Sequence, residues 1–346
     1  MGKISRDRIK SWFVTGASSG LGQELCRQLV RRGYNVVAVA RRVPEINLDG
    51  GSRDNLLCLS CDVTKPEDIK SAIDSGMNKF GGIDVLANFA GISSGVTFEE
   101  IDDAGVREVM ETNYWGTYNT CKALIKYFRE NNKGTIVNCT SIQGLVPRYG
   151  GTGYNSSKFA VEGLSGAIWI ETRKLNTRIM CVEPGLFPTN IGRGRWRKTE
   201  FEAYRLPPEQ TQIMKVERPF RNDNAIAVNS VIDTVEMEKL PRRLMLGLDC
   251  IARVKHEQRT VAREIKYSEK VSKKIARIKD GDRQFTCNDY AQYKSRQSKF
   301  ARRLIRVTIK CLVDKKRYKK LKRDPNRFFN DSRNLFIRFL GGYYQR

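Results

Sequence analysis

Short apolar runs alternate with helical spacing at the start of the chain. Ser11–Thr15 is apolar and β-prone and predicts a buried strand, and Val36–Ala40 predicts a second one. Between them, Gln23–Arg32 carries apolar residues at helical spacing, and Gly33 is placed to end that helix. The order strand, helix, strand predicts a βαβ unit, the building block of a parallel sheet covered by helices.

The pattern changes in the second half of the chain. Thr135–Thr140 predicts a strand that Ser141 follows, whereas the region from about Ile191 to Pro241 departs from simple alternation. A helical pattern resumes near Asn224, and the segment 242–247 predicts the last strand. These features indicate an α/β domain with an irregular region before its last strand.

A glycine-rich turn connects the first strand to the first helix, with the sequence Gly16-Ala-Ser-Ser-Gly20-Leu-Gly22. Glycines at this position let backbone N–H groups approach a pyrophosphate at the N-terminus of a helix. A plain tight turn is the alternative. Because the strand, turn, helix and strand occur in order, the pattern favours a dinucleotide site.

Tyr154 and Lys158 form the main candidate for catalysis, because residues i and i+4 share one face of a helix. The Lys158 ammonium would lower the pKa of the Tyr154 phenol from its usual value of roughly 10 toward neutrality. Ser141 would polarise a substrate oxygen. The alternative is an ordinary surface helix that carries a tyrosine and a lysine.

Taken together, Thr15-Gly16-x-x-x-Gly20-x-Gly22 and Tyr154-x-x-x-Lys158 resemble the short-chain dehydrogenase/reductase family over about residues 8–265. Further segments match that family in order: Cys61-Asp62-Val63, Asn88-Phe89-Ala90-Gly91, Asn113, Ser141, and Pro184-Gly185 with Thr189. Phe89 departs from the family, which usually has asparagine there.

The resemblance implies a Rossmann-type, doubly wound parallel sheet of about seven strands and a homo-oligomer that pairs through helices four and five. It also implies hydride transfer at C4 of a nicotinamide ring, with Tyr154 as general acid/base. Lys158 would hold the nicotinamide ribose, and Asn113 would help to place a water in a proton relay. The residues expected to bind the cofactor are Gly16, Ser18, Ser19, Gly20, Leu21, Gly22, Arg41, Arg42, Asp62, Val63, Asn88, Ala90, Gly91, Tyr154, Lys158, Pro184, Gly185 and Thr189.

The end of the second strand bears on the choice of cofactor. An acidic residue there would accept hydrogen bonds from the ribose diol of NAD, but this chain has Ala40, Arg41 and Arg42. Guanidinium groups pair well with phosphate, so we expect NADP rather than NAD, with Arg41 as the main contact. The alternative is that the arginines point into solvent.

Composition limits the other classes of function. The chain has 346 residues, nine cysteines in no paired spacing and a single histidine, His256, which predicts reduced thiols and no metal site. The charged N-terminus and the lack of a long apolar run predict a cytoplasmic protein with neither a signal peptide nor a spanning helix.

Two basic regions indicate possible partners. Arg148 and the cluster Arg193, Arg195, Arg197 and Lys198 could attract an anionic substrate, or they could belong to a solvated loop. Residues 271–346 hold 23 Lys and Arg against 6 Asp and Glu, and we predict a separate, mainly helical extension after a first domain of residues 1–270.

The extension has apolar residues at helical spacing between Phe300 and Leu312, as in a basic amphipathic helix. It could lie on the anionic inner face of a membrane, or pack its apolar stripe on this enzyme or on a partner enzyme, whereas the lack of a nucleic-acid motif argues against nucleic acid. Residues 319–332 resemble C-terminal segments of bacterial capsule and surface-polysaccharide enzymes.

The sequence therefore predicts an NADP-dependent oxidoreductase that interconverts a carbonyl and a secondary alcohol on a small molecule. A sugar or polyol derivative in surface-polysaccharide synthesis is the substrate that the C-terminal resemblance favours. The alternative is a scaffold or partner protein that binds a nucleotide, keeps the fold and has lost turnover.

Overall fold

The computed structural model describes residues 9–48, 53–191, 197–206 and 222–275. Its strands are β1 (Ser11–Thr15), β2 (Asn35–Ala40), β3 (Leu56–Ser60), β4 (Val85–Asn88), β5 (Gly134–Cys139), β6 (Thr177–Pro184) and β7 (Arg243–Leu246). They form one parallel sheet in the order β3-β2-β1-β4-β5-β6-β7. This arrangement confirms the predicted doubly wound sheet of seven strands.

Helices connect the strands. They are α1 (Gly20–Arg31), α2 (Pro66–Phe80), α3 (Asp103–Met110), α4 (Gly116–Glu130), α5 (Thr152–Thr172), α6 (Asn224–Val235) and α7 (Leu248–Ile275). A π-helical turn, Glu111–Trp115, joins α3 to α4, and short 3₁₀ turns occupy Ile142–Gly144 and Glu202–Tyr204.

The two faces of the sheet are covered by different helices. Trp12 and Val14 of β1 belong to one apolar cluster with α1 and α6, whereas Phe13 belongs to a second cluster with α2 and α4. Every residue of β1 is buried, because helices cover both of its faces. Burying one such large apolar side chain stabilises the fold by about 1.5–3 kcal/mol.

The predicted elements agree with the observed ones to within a few residues. The first predicted strand coincides with β1, and the last, at 242–247, contains β7. The helix predicted from Gln23 begins earlier, at Gly20, because the glycine turn itself leads into α1.

The chain divides into two units between Arg263 and Glu264, and the boundary predicted at residue 270 lies within α7. Most of the C-terminal extension, including its amphipathic segment from Phe300 to Leu312 and the segment 319–332, lies outside the described residues. Within the described parts of the chain, none of the helices has the length and apolar character needed to span a bilayer. The cysteines of these parts are all free thiols.

Candidate active site

A cleft of about 560 Å³ opens at the carboxyl edge of the sheet, where the turns after β1, β4, β5 and β6 meet. Strand β1 lies between β2 and β4, so this edge is the point at which the strand order reverses and at which ligands bind in such folds. The predicted site residues that line the cleft are Gly16, Ser18, Ser19, Gly20, Leu21, Gly22, Arg41, Arg42, Asp62, Val63, Ala90, Gly91, Ser141, Tyr154, Lys158, Pro184, Gly185 and Thr189.

The glycine turn is shaped by close backbone approaches. Gly16 has φ +69°, a value that favours glycine, and a Cβ on Gly22 would lie 2.4 Å from the carbonyl oxygen of Gly16. The first turn of α1 contains no acidic residue. The unbonded N–H groups at the N-terminus of α1 therefore face the cleft, where they are suited to bind an anion.

Thr15 joins the glycine turn to the turn after β4. Its Oγ1 accepts hydrogen bonds from the backbone N–H groups of Phe89 and Ala90, each at 3.1 Å. The Phe89 side chain packs against the apolar cluster beside α1, and its Cβ would be 3.3 Å from a Cβ on Gly22. The departure from the family's asparagine thus replaces a polar side chain with apolar packing, while Thr15 holds the turn.

Arg41 and Arg42 follow β2 directly and are exposed where they line the cleft. The Arg41 carbonyl accepts a hydrogen bond from Ser60 Oγ at 2.9 Å, which fixes the backbone at this point. Asp62 is the one acidic residue among the described residues that line the cleft. Its Oδ1 accepts hydrogen bonds from Thr64, and the two guanidinium groups outnumber this one carboxylate at this end of the cleft.

Ser141, Tyr154 and Lys158 meet on the other side of the cleft. Ser141 begins a 3₁₀ turn, and its hydroxyl accepts from Gln143 N at 3.1 Å and is hydrogen-bonded to the Tyr154 phenol. One helical turn beyond Tyr154 in α5, Lys158 donates from Nζ to the carbonyl oxygen of Cys139 at 2.9 Å. This Nζ lies 5.6 Å from the centroid of the Tyr154 ring.

Burial shifts the pKa values of both Tyr154 and Lys158. It raises the pKa of the Tyr154 phenol, as does neighbouring Cys139, while the hydrogen bond to Ser141 acts in the opposite direction. Burial lowers the pKa of Lys158. The predicted lowering of the Tyr154 pKa by Lys158 is therefore not found in the protein alone, where the pKa is raised and burial is the largest cause. Tyr154 is a protonated acid in this state.

Asn113 lies behind the cleft rather than in its lining. It is fully buried in the π-helical turn, where its Nδ2 donates to Ile92 O at 3.0 Å and to Ser157 Oγ at 2.9 Å. Its Oδ1 accepts from Ile92 N at 2.8 Å and would lie 3.2 Å from a Cβ on Gly91. The Asn113 side chain thus holds the turn after β4, and its predicted part in a proton relay stays a prediction.

Asn88 does not line the cleft either, although it was predicted to contact the cofactor. Its side chain is buried between strands, where Nδ2 donates to Asn138 Oδ1 at 2.9 Å and Oδ1 accepts from Thr120 Oγ1 at 2.8 Å. These bonds tie β4 to β5 and α4. The Asn88 side chain thus has a structural role beneath the site, and a contact of this residue with the cofactor stays a prediction.

A buried cluster of charges lies next to the catalytic helix and was not predicted. Glu162 accepts from Thr140 Oγ1 at 2.7 Å and from Arg243, and Glu183 is completely buried beside them. Burial and the Glu162 carboxylate raise the pKa of Glu183 to about 9. A proton held by Glu183 lets the two carboxylates lie together, since like charges at this depth would repel each other.

The substrate side of the cleft contains further residues that no motif marked. They are Ile92, Ser93, Ile142, Gln143, Arg148, Leu186, Phe187, Asn190, Ile191 and Arg253. Only Arg148 had been named beforehand, as a cation near Ser141. Of the predicted basic loop, Arg193 and Arg195 lie outside the described residues. Arg253 stands on α7, far from the motifs in sequence, and only the fold brings it here.

Comparison with known proteins identifies the family of this chain. The model of the family described as short chain dehydrogenase matches residues 10–200. A short-chain dehydrogenase from Streptomyces avermitilis has a similar structure, with a TM-score of 0.69 and 31% identity over 77% of this chain and 97% of that one. The chain belongs to the short-chain dehydrogenase family of oxidoreductases.

Two curated relatives show the range of the family. An uncharacterized oxidoreductase of Schizosaccharomyces pombe is 28% identical over 78% of this chain and 94% of its own. A 3-ketodihydrosphingosine reductase of Bacteroides thetaiotaomicron is 34% identical over 52% of this chain and 64% of its own. These relatives differ in name, and one of them is uncharacterized, so the substrate is left to be inferred from this chain's own residues.

Proposed function

We propose that this protein is an NADP-dependent reductase that converts a carbonyl group to a secondary alcohol. The observation that carries the proposal is that Ser141, Tyr154 and Lys158 open into the same cleft as the glycine turn. A proton donor and a dinucleotide cradle therefore share one volume, as hydride transfer requires.

The cradle fits a dinucleotide. Gly16 and Gly22 let the turn pack tightly on its own backbone, because a Cβ on Gly16 would lie 2.5 Å from Phe89 O and one on Gly22 would lie 2.4 Å from Gly16 O. The first turn of α1, which lines the cleft at Gly20 to Gly22, carries no acidic residue. The backbone from Ser18 to Leu21 would hold the pyrophosphate, and Asp62 and Val63 would lie beside the adenine. When bound, the nicotinamide supplies the hydride.

Three side chains, Tyr154, Ser141 and Lys158, would take part in the proton transfer to the substrate. Tyr154 would donate its phenolic proton to the substrate oxygen, on which Ser141 would place a second hydrogen bond. Lys158 would then stabilise the phenolate. The protonated phenol would be the acid during reduction, and the phenolate would be the base during oxidation of the alcohol.

The choice of NADP rests on the residues after β2. Arg41 and Arg42 are exposed at the cleft and are not matched by an acidic residue in the ribose position. A guanidinium group can pair with a 2′-phosphate through two hydrogen bonds, whereas NAD offers only a diol. We therefore assign the 2′-phosphate to Arg41, with Arg42 as a second contact.

The substrate is proposed to be a polar carbonyl compound, such as a sugar or polyol derivative. Gln143, Arg148 and Arg253 on the substrate side support a polar ligand. Its place in surface-polysaccharide synthesis rests on the resemblance of residues 319–332, outside the described part of the chain. Relatives named as 3-ketodihydrosphingosine reductase and 11-beta-hydroxysteroid dehydrogenase direct attention to lipid-like ketones as the competing class.

The reductase domain is proposed to form a homo-oligomer, as the family resemblance implies. The basic extension is proposed to lie on the inner face of a membrane or to dock on a partner enzyme. The support is the excess of cations in residues 271–346. The test is co-sedimentation of the full-length protein with anionic and neutral vesicles at low and high salt. Binding to anionic vesicles that salt reverses supports the membrane; no binding to either favours docking on a protein.

Turnover tests the main proposal. Oxidation of NADPH and of NADH is followed by absorbance with sugar-derived ketones, sphingoid ketones, steroid ketones and small aromatic ketones. We expect ketone-dependent oxidation with kcat/KM higher for NADPH than for NADH. Tight binding of NADPH without oxidation by any ketone would instead favour the non-catalytic scaffold.

A further inference from the structure

The start of α7 forms one wall of the cleft on its substrate side. Asp249 Oδ2 accepts from the backbone N–H of Leu186 at 2.7 Å, and Cys250 Sγ donates to the carbonyl oxygen of Glu183 at 3.3 Å. Val254 packs with Ile142, just after Ser141. The first turns of α7 are thereby held between the turn after β6 and the segment that carries Ser141.

Arg253 is the charged residue that this packing directs to the cleft. It follows Asp249 by four residues, precedes buried Val254 and lines the cleft. Within the described parts of the chain, its guanidinium has no hydrogen bond and no ion pair. The neighbouring Asp249 carboxylate is already engaged by Leu186 and by Asn222 Nδ2 at 3.1 Å. Arg253 is therefore a cation without a protein counter-ion in this part of the structure.

Gln143 presents a second unengaged polar group on the same side. Its backbone N–H donates to Ser141 Oγ, but its side-chain amide forms no hydrogen bond with the described residues, and Oε1 is buried. A buried amide without a partner costs free energy that a ligand can recover by bonding to it. The Gln143 amide is thus a group on this wall of the cleft to which a polar ligand can bond.

Most of the charged side chains that line the cleft are cations. Among the described residues that line it, Asp62 is the one acid, and it lies at the adenine end with its Oδ1 bonded to Thr64. Arg148 and Lys158 add positive charge near Ser141. An anionic group on the substrate side would therefore meet attraction without a competing carboxylate.

Resting on the proposed function, we propose that the substrate carries a carboxylate, phosphate or sulfate group, and that Arg253 binds it while Gln143 hydrogen-bonds a neighbouring polar group. A guanidinium matches these oxyanions through paired hydrogen bonds in a fixed plane. The anion then positions the carbonyl relative to Tyr154, so that Arg253 determines specificity rather than the chemical step.

The test uses two ketones of similar shape, anionic 4-acetylbenzoate and its neutral methyl ester. Their binding to the full-length protein is measured by calorimetry with saturating NADP⁺, which occupies the phosphate sites of the cofactor and cannot reduce a ketone. The variants are Arg253→Met and, as a matched control, Lys255→Met, which removes a charge from the exposed side of the same helix. The dissociation constant of NADP⁺ is measured for each variant.

We expect the parent and Lys255→Met to bind the acid at least about tenfold more tightly than the ester, and Arg253→Met to bind both alike. Undetectable or unselective binding of the acid by the parent overturns the inference, as does an equal loss in Lys255→Met. Weakened NADP⁺ binding in Arg253→Met overturns it in favour of a cofactor contact. Failure of the proposed function looks different: the acid still binds selectively, but NADPH remains unoxidised by every ketone.

Discussion

Asn113 holds the turn after β4 at Ile92, whereas Thr15 holds it at Phe89 and Ala90, and Asn113→Ala tests the first of these contributions directly. Asn113 is fully buried and makes three hydrogen bonds, two to Ile92 at 2.8 and 3.0 Å and one to Ser157 at 2.9 Å. Alanine removes all three and leaves the N–H and C=O of Ile92 without partners. A net hydrogen bond contributes about 1 kcal/mol, and an unpartnered buried group costs about 1–3 kcal/mol. We therefore expect a loss of about 3–5 kcal/mol of folding free energy.

The assay is urea unfolding at equilibrium, read as the change in midpoint multiplied by the slope. Asn176→Ala is the control: its exposed side chain donates one hydrogen bond, to Asn132 Oδ1 at 3.1 Å, and its loss should cost less than about 0.5 kcal/mol. Because Ile92 lines the cleft, NADPH-dependent turnover should also fall in Asn113→Ala. A stability loss below about 1 kcal/mol would refute the reasoning that this amide holds the turn.

Three further outcomes follow from the geometry. Arg41→Asp should shift the ratio of kcat/KM from NADPH toward NADH, since it replaces a phosphate partner with a repelling charge; an unchanged ratio would exclude the contact. Gly22→Ala should weaken NADPH binding at least about tenfold, measured by fluorescence titration, because its Cβ would lie 2.4 Å from the Gly16 carbonyl and must displace α1. Glu183 has its pKa raised from 4.5 to about 9, so the folded state keeps a proton that the unfolded chain releases, and stability falls as pH rises through that range. Glu183→Gln keeps a neutral side chain and should become more stable relative to the parent as pH rises from 5 to 8 in thermal unfolding; an equal difference at both pH values would show that Glu183 does not hold the proton.

The fold was predictable because its signals are local. The apolar run at Ser11–Thr15, the glycine turn and the following helix each report on neighbouring residues, and the structure places them as β1, the cradle and α1. The pairing of Tyr154 and Lys158 was similarly predictable, because helical spacing alone puts them on one face.

The roles of the asparagines were harder to predict. Asn88 and Asn113 stand in motif positions, yet both side-chain amides form buried hydrogen bonds behind the cleft. The pKa of Tyr154 was also mispredicted, since the spacing to Lys158 says nothing of how deeply the phenol is buried. Arg253 could not be found from sequence at all, because only the packing of α7 against the turn after β6 brings it to the cleft.

The central claim is that the Tyr154 phenol donates the proton during carbonyl reduction. The most direct measurement is a single turnover of bound NADPH, followed by absorbance with a ketone that the parent reduces, in Tyr154→Phe and in the control Tyr127→Phe, which removes a phenol oxygen remote from the cleft. We predict that Tyr154→Phe binds NADPH nearly as the parent does but oxidises it about 10²-fold or more slowly, whereas Tyr127→Phe resembles the parent. A rate for Tyr154→Phe within about threefold of the parent would contradict the account, because general acid catalysis by this phenol would then contribute almost nothing.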